Sequence, residues 1–426
     1  MVSIHFITQG CAANQADSEV MAGILAQEGH QIIGNEGHAD LIVFNTCTVK
    51  GPTESFFKTK LKKLEQEGKT IILAGCIPQA EKSFTTKHSI IGTYALEHIT
   101  KVVNETLKGN LLVKLERENR ARLNLPKCRL NPVIEIVPIL HGCLGSCSFC
   151  KTKHARGELY SYPIEDIVRH ISKAVEDGAK EIWLTSQDNS AYGKDIGSSL
   201  PALLKAICTI PRAFMLRVGM GNPEHMLPML DELVAAYQHP KIYKFLHIPL
   251  QSGSDKVLKD MNREYTVAEF KEVVNAFKEA IPSISIATDI ICGYPTENDQ
   301  DFEYTKDVVR WAQPERINIA RFWPRPNTPA AQLKQLTGDI LKRRTKEMTA
   351  VYQEVAQQAN DAWIGWKGTV LVTEKGKGNT MVARNEAYKQ VIIDQVMPLG
   401  EELEVNISFA TPFDLRTHEP SSPRNL

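Results

Sequence analysis

The sequence of 426 residues carries no net charge, because 50 lysines and arginines balance 50 aspartates and glutamates. Without an excess of positive charge there is no global field to attract a polyanion, so a nucleic-acid site must be a local patch. No apolar run is long enough to span a bilayer. The opening stretch "MVSIHFITQGCAANQ" soon turns polar and lacks the charged-then-apolar order of a secretory leader. A cytoplasmic protein without membrane contact is the expectation. A disulfide framework is absent too. Nine cysteines is an odd number in a long chain, and in a reducing compartment they read as ligands, reactive thiols or core residues.

Apolar periodicity divides the chain. Residues 1–112 alternate short β-branched strands (Ile4–Thr8, Leu41–Thr46, Thr70–Ala74) with helical stretches (Ser18–Glu28, Pro52–Gln66, Ala95–Leu107). This βαβ series predicts a small parallel α/β sheet. Residues 113–130 contain "KLERENRARLNLPKCR", six basic against two acidic side chains, and read as a solvated basic linker. Residues 131–362 repeat strand and helix at a longer period. The strands are Val133–Leu140, Glu181–Thr185, Phe214–Val218, Tyr243–Ile248, Ile284–Ile291 and Arg316–Phe322. The helices include Pro163–Asp177, Pro223–Tyr237, Val267–Ala280, Asp299–Ala312 and a long one at Asp339–Asp361. Six such units predict a partial (β/α)6 barrel with its site at the C-terminal rim. Residues 363–418 show short alternating strands, a small β-barrel, and 419–426 read as a flexible tail.

Cys143, Cys147 and Cys150 follow the first barrel strand in a Cx3Cx2C pattern. A structural zinc site wants four ligands, and no fourth is near; inert core thiols rarely cluster so tightly. Three thiolates on a [4Fe–4S] cluster leave one iron open. Cys11, Cys47 and Cys76 each follow a strand of the first unit: "IHFITQGC", "LIVFNTC", "TIILAGC". In a parallel sheet these strand ends share one edge, so the three thiols are expected to converge. Cys128, Cys208 and Cys292 read as structural or incidental.

The Cx3Cx2C loop on a six-unit barrel resembles the radical S-adenosylmethionine (SAM) superfamily. There SAM supplies the fourth ligand and is split to a radical, and Phe149 matches the aromatic near the adenine. Rim residues Gln187, Asp188, Arg217, Gln251 and Asp289 are candidates for holding SAM. With "TQGCAANQADSE", "NTCTV", "AGC" and "HIPLQSGS", the whole chain resembles the methylthiotransferases. That resemblance implies two [4Fe–4S] clusters, two SAM molecules per turnover, tRNA as partner, and a C-terminal TRAM domain. It also implies an electron donor such as ferredoxin or flavodoxin, a sulfur source, and a monomer. "CKTKHARGELYSYP", "RVGMGNP" and "ATDIICGYPTE" look like the branch that converts N6-threonylcarbamoyladenosine at position 37 of tRNA to its 2-methylthio form.

Lys151, Lys153, His154 and Arg156 beside the cysteines are candidate contacts for RNA phosphate or for the threonyl carboxylate, and Arg321 and Arg325 around Trp323 are candidate substrate contacts that offer charge and stacking at another rim position. Isopentenyladenosine in tRNA and a ribosomal-protein aspartate are alternative substrates within the family. A cobalamin-dependent radical SAM enzyme and a noncatalytic iron–sulfur RNA-binding protein are rivals outside it. No Asp-x-His-x-x-Gly motif for cobalamin is present.

Overall fold

The computed structural model describes residues 1–48, 51–81 and 87–418. The tail expected at 419–426 lies outside the described residues. The first unit runs β1 (Ser3–Thr8), α1 (Ala12–Gln27), β2 (Gln31–Ile32), β3 (Leu41–Thr46), α2 (Gly51–Gln66) and β4 (Thr70–Gly75). It continues with α3 (Cys76–Ala80), β5 (Ser89–Ile91), α4 (Ile99–Leu107) and β6 (Val113–Lys114). The strands form one parallel sheet in the order β2-β1-β3-β4-β5-β6. Every residue of β3 is buried, as a parallel strand covered on both faces requires. A 3-10 turn at Leu96–His98 precedes α4, so the helix expected from Ala95 starts later. α1 begins at Ala12, six residues before the expected start, directly behind Cys11.

The second unit starts with β7 (Ile134–Pro138), β8 (Leu140–His141), α5 (Thr152–Arg156), β9 (Tyr160–Ser161), α6 (Ile164–Glu176) and β10 (Glu181–Thr185). Next come α7 (Leu200–Cys208), β11 (Met215–Arg217), α8 (Pro223–Met226), α9 (Leu230–Tyr237), β12 (Phe245–His247) and α10 (Asp255–Asp260). It closes with α11 (Val267–Ala280), β13 (Ser285–Cys292), α12 (Asp299–Ala312), β14 (Arg316–Arg321) and α13 (Gly338–Asp361). The six parallel barrel strands form two groups, β7-β10-β11 and β12-β13-β14. A parallel bridge between Leu216 and Ile242 joins them. The expected partial (β/α)6 barrel is present. Its first strand is broken: β8 leaves β7 to pair antiparallel with β9, which carries the Cx3Cx2C loop outward.

The third unit holds β15 (Lys367–Lys375), β16 (Met381–Arg384), β17 (Gln390–Ile393), β18 (Glu402–Asn406), β19 (Phe409–Ala410) and β20 (Leu415–Arg416). They form a single sheet in the order β18-β15-β16-β17-β20-β19. Its strands share one core, from Val370 and Val405 to Ala410 and Leu415, so the sheet curls into an open half-barrel. The turn after β16 plugs the N-terminal mouth of the larger barrel. There the Tyr388 ring lies 4.8 Å from Tyr243 and 5.0 Å from Phe245. The backbone N–H of Lys244 donates to the Glu386 carbonyl at 2.8 Å. The third unit thus closes the end of the barrel opposite the rim.

The segment expected to be a solvated linker is instead packed between the first two units. Leu123 is buried in the barrel core, and Arg122 stacks on Tyr94 at 5.1 Å. Lys127 pairs with Glu19 at 3.1 Å and also with Glu135. At Gly23 of α1 the Lys127 backbone passes so close that a β-carbon would overlap it. Residues 116–120 are exposed, but Arg122 and Lys127 turn inward because their partners, Asp17, Glu19 and Glu135, come from the two units the segment joins. Residues 113 and 114 belong to the sheet. Among the described residues no helix is long and apolar enough to cross a membrane.

Candidate active site between two cysteine triads

The first triad is assembled by sheet register. Thr8 pairs with Asn45, and Thr46 pairs with Gly75, so the ends of β1, β3 and β4 are level. Cys11, Cys47 and Cys76 sit just beyond those ends. Gly10 has φ +118°, and a β-carbon there would lie 2.5 Å from the Cys47 β-carbon and 2.9 Å from its sulfur. The Asn14 side chain ties the other two together. Its Oδ1 is 3.4 Å from Cys11 Sγ and 3.8 Å from Cys76 Sγ. Asn14 is fixed in turn by Nδ2 donating to the Thr46 carbonyl at 3.0 Å. The sheet thus sets the three strand-end thiols along one edge, two of them on the Asn14 amide oxygen.

The second triad lies on the loop after β8. Gly142 takes φ +76°, and a β-carbon would overlap the Glu158 carbonyl. Gly145 sits between two sulfurs: a β-carbon there would be 3.6 Å from Cys143 Sγ and 3.7 Å from Cys147 Sγ. The turn after α10 grips this loop. Ser148 N–H donates to the Met261 carbonyl at 2.9 Å, Ser148 Oγ to the Asp260 carbonyl at 2.9 Å, and Asn262 Nδ2 to Ser146 Oγ at 2.6 Å. Arg263 follows, buried, with Nη1 3.0 Å from Cys147 Sγ. Among the described residues, no three His, Cys, Asp or Glu side chains close on one ion, so neither triad has the tight spacing of a mononuclear zinc site.

Burial, then the Asp188 charge, pushes the Cys143 thiol up to about 12. Burial also raises Cys147, with Arg263 opposing it. These groups are protonated as free thiols, so metal loading must release their protons. Burial, then Arg122 and Arg156, pushes His141 down to about 3 and keeps it neutral.

The two triads have a common neighbour in Arg325. Arg325 is buried, donates from Nη1 to Glu54 Oε2 at 2.7 Å, and feels the charge of both Cys47 and Cys150. A cavity of about 420 Å³ opens beside it, lined by Gly51, Phe149, Ile319, Arg321, Phe322 and Trp323 among others. Phe149 packs towards Met261, Tyr294 and Phe322.

The expected cation loop is mostly interior. Lys151 is buried against Glu81. Arg156 is buried, with Nη2 2.7 Å from Asp17 Oδ2. Burial opposes its charge, but Asp17 and then the Cys76 and Cys11 sulfurs outweigh it. Lys153 reaches Glu158 at 3.2 Å, and His154 lends its carbonyl to Arg117. Lys151 and Arg156 are therefore not surface cations: they clamp the barrel loop to the first unit.

The expected rim set is also split. Gln187 lines the seam beside Asp17, His141 and Arg156, and its buried Oε1 has no partner. Asp188 spends both oxygens internally, on Ser190, Asn222 and His225. Arg217 is not at the rim. Its register partner is Trp183, and its guanidinium stacks on Trp183, Phe245 and Tyr388 at 5.5–5.8 Å, towards the plugged mouth. Gln251 takes φ +61° and bridges to Ile290. Asp289 binds His247 Nε2 at 3.0 Å and Asn318 Nδ2 at 2.8 Å. Asn14 and Arg263 escaped the sequence reading. Asn14 lies one helical turn after Cys11, a spacing that points to it; Arg263 is remote in sequence and has no such signal.

Comparison with known proteins decides the family. Family models match as "Radical SAM superfamily" over residues 137–309, "Uncharacterized protein family UPF0004" over 3–92 and "TRAM domain" over 364–418. The human threonylcarbamoyladenosine tRNA methylthiotransferase is 46% identical over 94% of this chain and 71% of its own length. The chain belongs to the threonylcarbamoyladenosine tRNA methylthiotransferase family. A probable methylthiotransferase of the same name from Pyrococcus abyssi is 39% identical over 96% of both chains. The methylthiotransferase also shares its fold with the radical SAM methyltransferase TsrM from Kitasatospora setae, solved with cobalamin and a [4Fe–4S] cluster. There the TM-score is 0.55, the identity 13%, and the coverage 77% of each chain. This methylthiotransferase is a radical SAM transferase that modifies tRNA, and its cofactors are an iron–sulfur cluster and SAM.

Proposed function

We propose that the protein adds a methylthio group to C2 of N6-threonylcarbamoyladenosine at position 37 of tRNA, using two [4Fe–4S] clusters and two SAM molecules. The observation that carries this reading is the pair of cysteine triads: Arg325, which lines the cavity, feels the charge of Cys47 from the first and of Cys150 from the second. Each triad supplies three sulfur donors, which fits a cluster with one open iron. The glycines at 10, 142 and 145 clear space against the sulfurs or the loops that carry them. When bound, the clusters and SAM would supply the sulfur, the methyl group and the radical, the hard chemistry that cofactors bring.

The chain's own residues hold and shield. Asn14 and Arg156 order the first triad; Arg263 and the 260–263 turn order the second. Phe149 and Phe322 wall the cavity against water, which protects a radical from quenching. Gln187, with its buried oxygen unpartnered, is the first candidate left for SAM, and Gln251 is a second; Asp289 holds both oxygens on its neighbours His247 and Asn318. Asp188 and Arg217 serve the scaffold. Lys153, His154, Arg321 and Arg325 are the candidate substrate contacts. A ferredoxin- or flavodoxin-type donor and a separate sulfur source complete the reaction, in the cytoplasm and with the protein as a monomer.

Mass spectrometry of nucleosides from tRNA incubated with reconstituted enzyme, SAM, reductant and sulfide tests the reading. The 2-methylthio derivative of threonylcarbamoyladenosine is expected. A methylthio product on isopentenyladenosine alone would contradict it.

A further inference from the structure

The cavity beside Arg325 has an uneven lining. Phe149, Ile319 and Phe322 make it apolar, and its outer lip carries Arg321 and Trp323. Trp323 is 51% exposed. One face of its indole lies against Gly51, where a β-carbon would come within 2.6 Å of the ring, so the other side is left for a ligand. Arg321 ends β14 opposite Cys292 and is exposed. Among the described residues no hydrogen bond or ion pair is made by its guanidinium. Deeper in, Arg325 is held by a carboxylate, that of Glu54. Its Nη2 is buried without a partner. A flat ring surface, an unpaired guanidinium at the lip and a carboxylate-bound guanidinium inside make a site for an aromatic ring bearing an anionic arm. A purine fills such a cavity, and an open guanidinium grips a carboxylate through two parallel hydrogen bonds.

We propose that Arg321 and Trp323 are the residues that set this cavity's specificity, Trp323 covering the adenine and Arg321 receiving the carboxylate that ends its N6 arm. This rests on the methylthiolation reading and adds a specificity rule to it. The carboxylate is recognised as such, and an unsubstituted or uncharged adenine is refused. Arg321 is a specificity residue, and cluster assembly does not call on it.

The test uses anaerobically reconstituted full-length enzyme and anticodon stem-loop RNAs. The target adenosine carries the N6-threonylcarbamoyl group, its methyl ester, or no substituent. Affinities are read by fluorescence anisotropy for wild type, Arg321→Met and Arg321→Lys. Wild type should bind the acid at least about tenfold more tightly than the ester, the scale of a hydrogen-bonded charge. Arg321→Met should bind all three RNAs alike, at the affinity wild type shows for the ester, and Arg321→Lys should recover part of the discrimination. Discrimination retained in Arg321→Met would overturn the proposal. Equal weakening on all three RNAs would also overturn it, because it would assign Arg321 to the RNA backbone. Product formation by wild type on the acid RNA is scored separately, so a failure of the underlying reading shows there and not in the binding ratio.

Discussion

Gly10→Ala separates the two cysteine sets. Gly10 is at φ +118° with its β position 2.5 Å from the Cys47 β-carbon. Carbon atoms in van der Waals contact sit about 3.5–4.0 Å apart, so the loop or Cys47 must yield by roughly an ångström. The left-handed backbone adds about 1–2 kcal/mol of its own. Gly29 supplies the control, because it has φ +83° and nothing within 4 Å of its β position. Gly29→Ala thus carries the backbone cost without the collision. After anaerobic reconstitution we expect Gly29→Ala to hold the wild-type iron content. Gly10→Ala should hold about half, as expected when one of two equal clusters is lost. The second triad, with its separate loop and clamp, should still cleave SAM when reduced. Full iron in Gly10→Ala would refute the placement of the first cluster against Cys47.

Three further outcomes follow from the buried charges. Asp17→Ala leaves Arg156 buried without its carboxylate between two units. It should cost about 3–5 kcal/mol in urea denaturation, and a loss under about 1 kcal/mol would contradict the clamp. Arg263→Met removes the donor 3.0 Å from Cys147 Sγ. Hydrogen bonds to cluster sulfurs raise the potential, so an EPR-monitored titration should find the variant harder to reduce; an unchanged potential would count against the contact. Burial raises Glu297 to about 7, against the pull of Arg344. The folded state then holds a proton the unfolded chain releases above its ordinary value near 4.5. That stability is present at low pH and fades as pH rises to 7, by at most about 3 kcal/mol. Glu297→Gln should flatten the pH dependence of the urea midpoint, and an identical slope in both proteins would dispose of this assignment.

The fold was legible where it rests on period. Strands β1, β3 and β4 show as β-branched runs, and a cysteine after each announces a shared sheet edge. The barrel's alternation is equally plain. What escaped depends on partners distant in sequence. The charges of Arg122 and Lys127 look solvated until Asp17 and Glu135 are brought to them. Lys151 and Arg156 look like an RNA-facing loop until Glu81 and Asp17 cover them. Arg217 seemed to end its strand at the rim, but the short β11 puts it level with Trp183, and Tyr388 comes from about 170 residues away to close over it. Nothing local in "MNREYT" shows that Arg263 will reach Cys147.

The central claim is two clusters, one on each triad. Iron and acid-labile sulfide, with Mössbauer spectra, measured on reconstituted wild type and on the Cys143/Cys147/Cys150→Ala triple variant test it most directly. The account predicts that the variant keeps about half the wild-type iron, still as a [4Fe–4S] cluster bound by the first triad. A variant with no cluster, from a wild type holding only one, would contradict it.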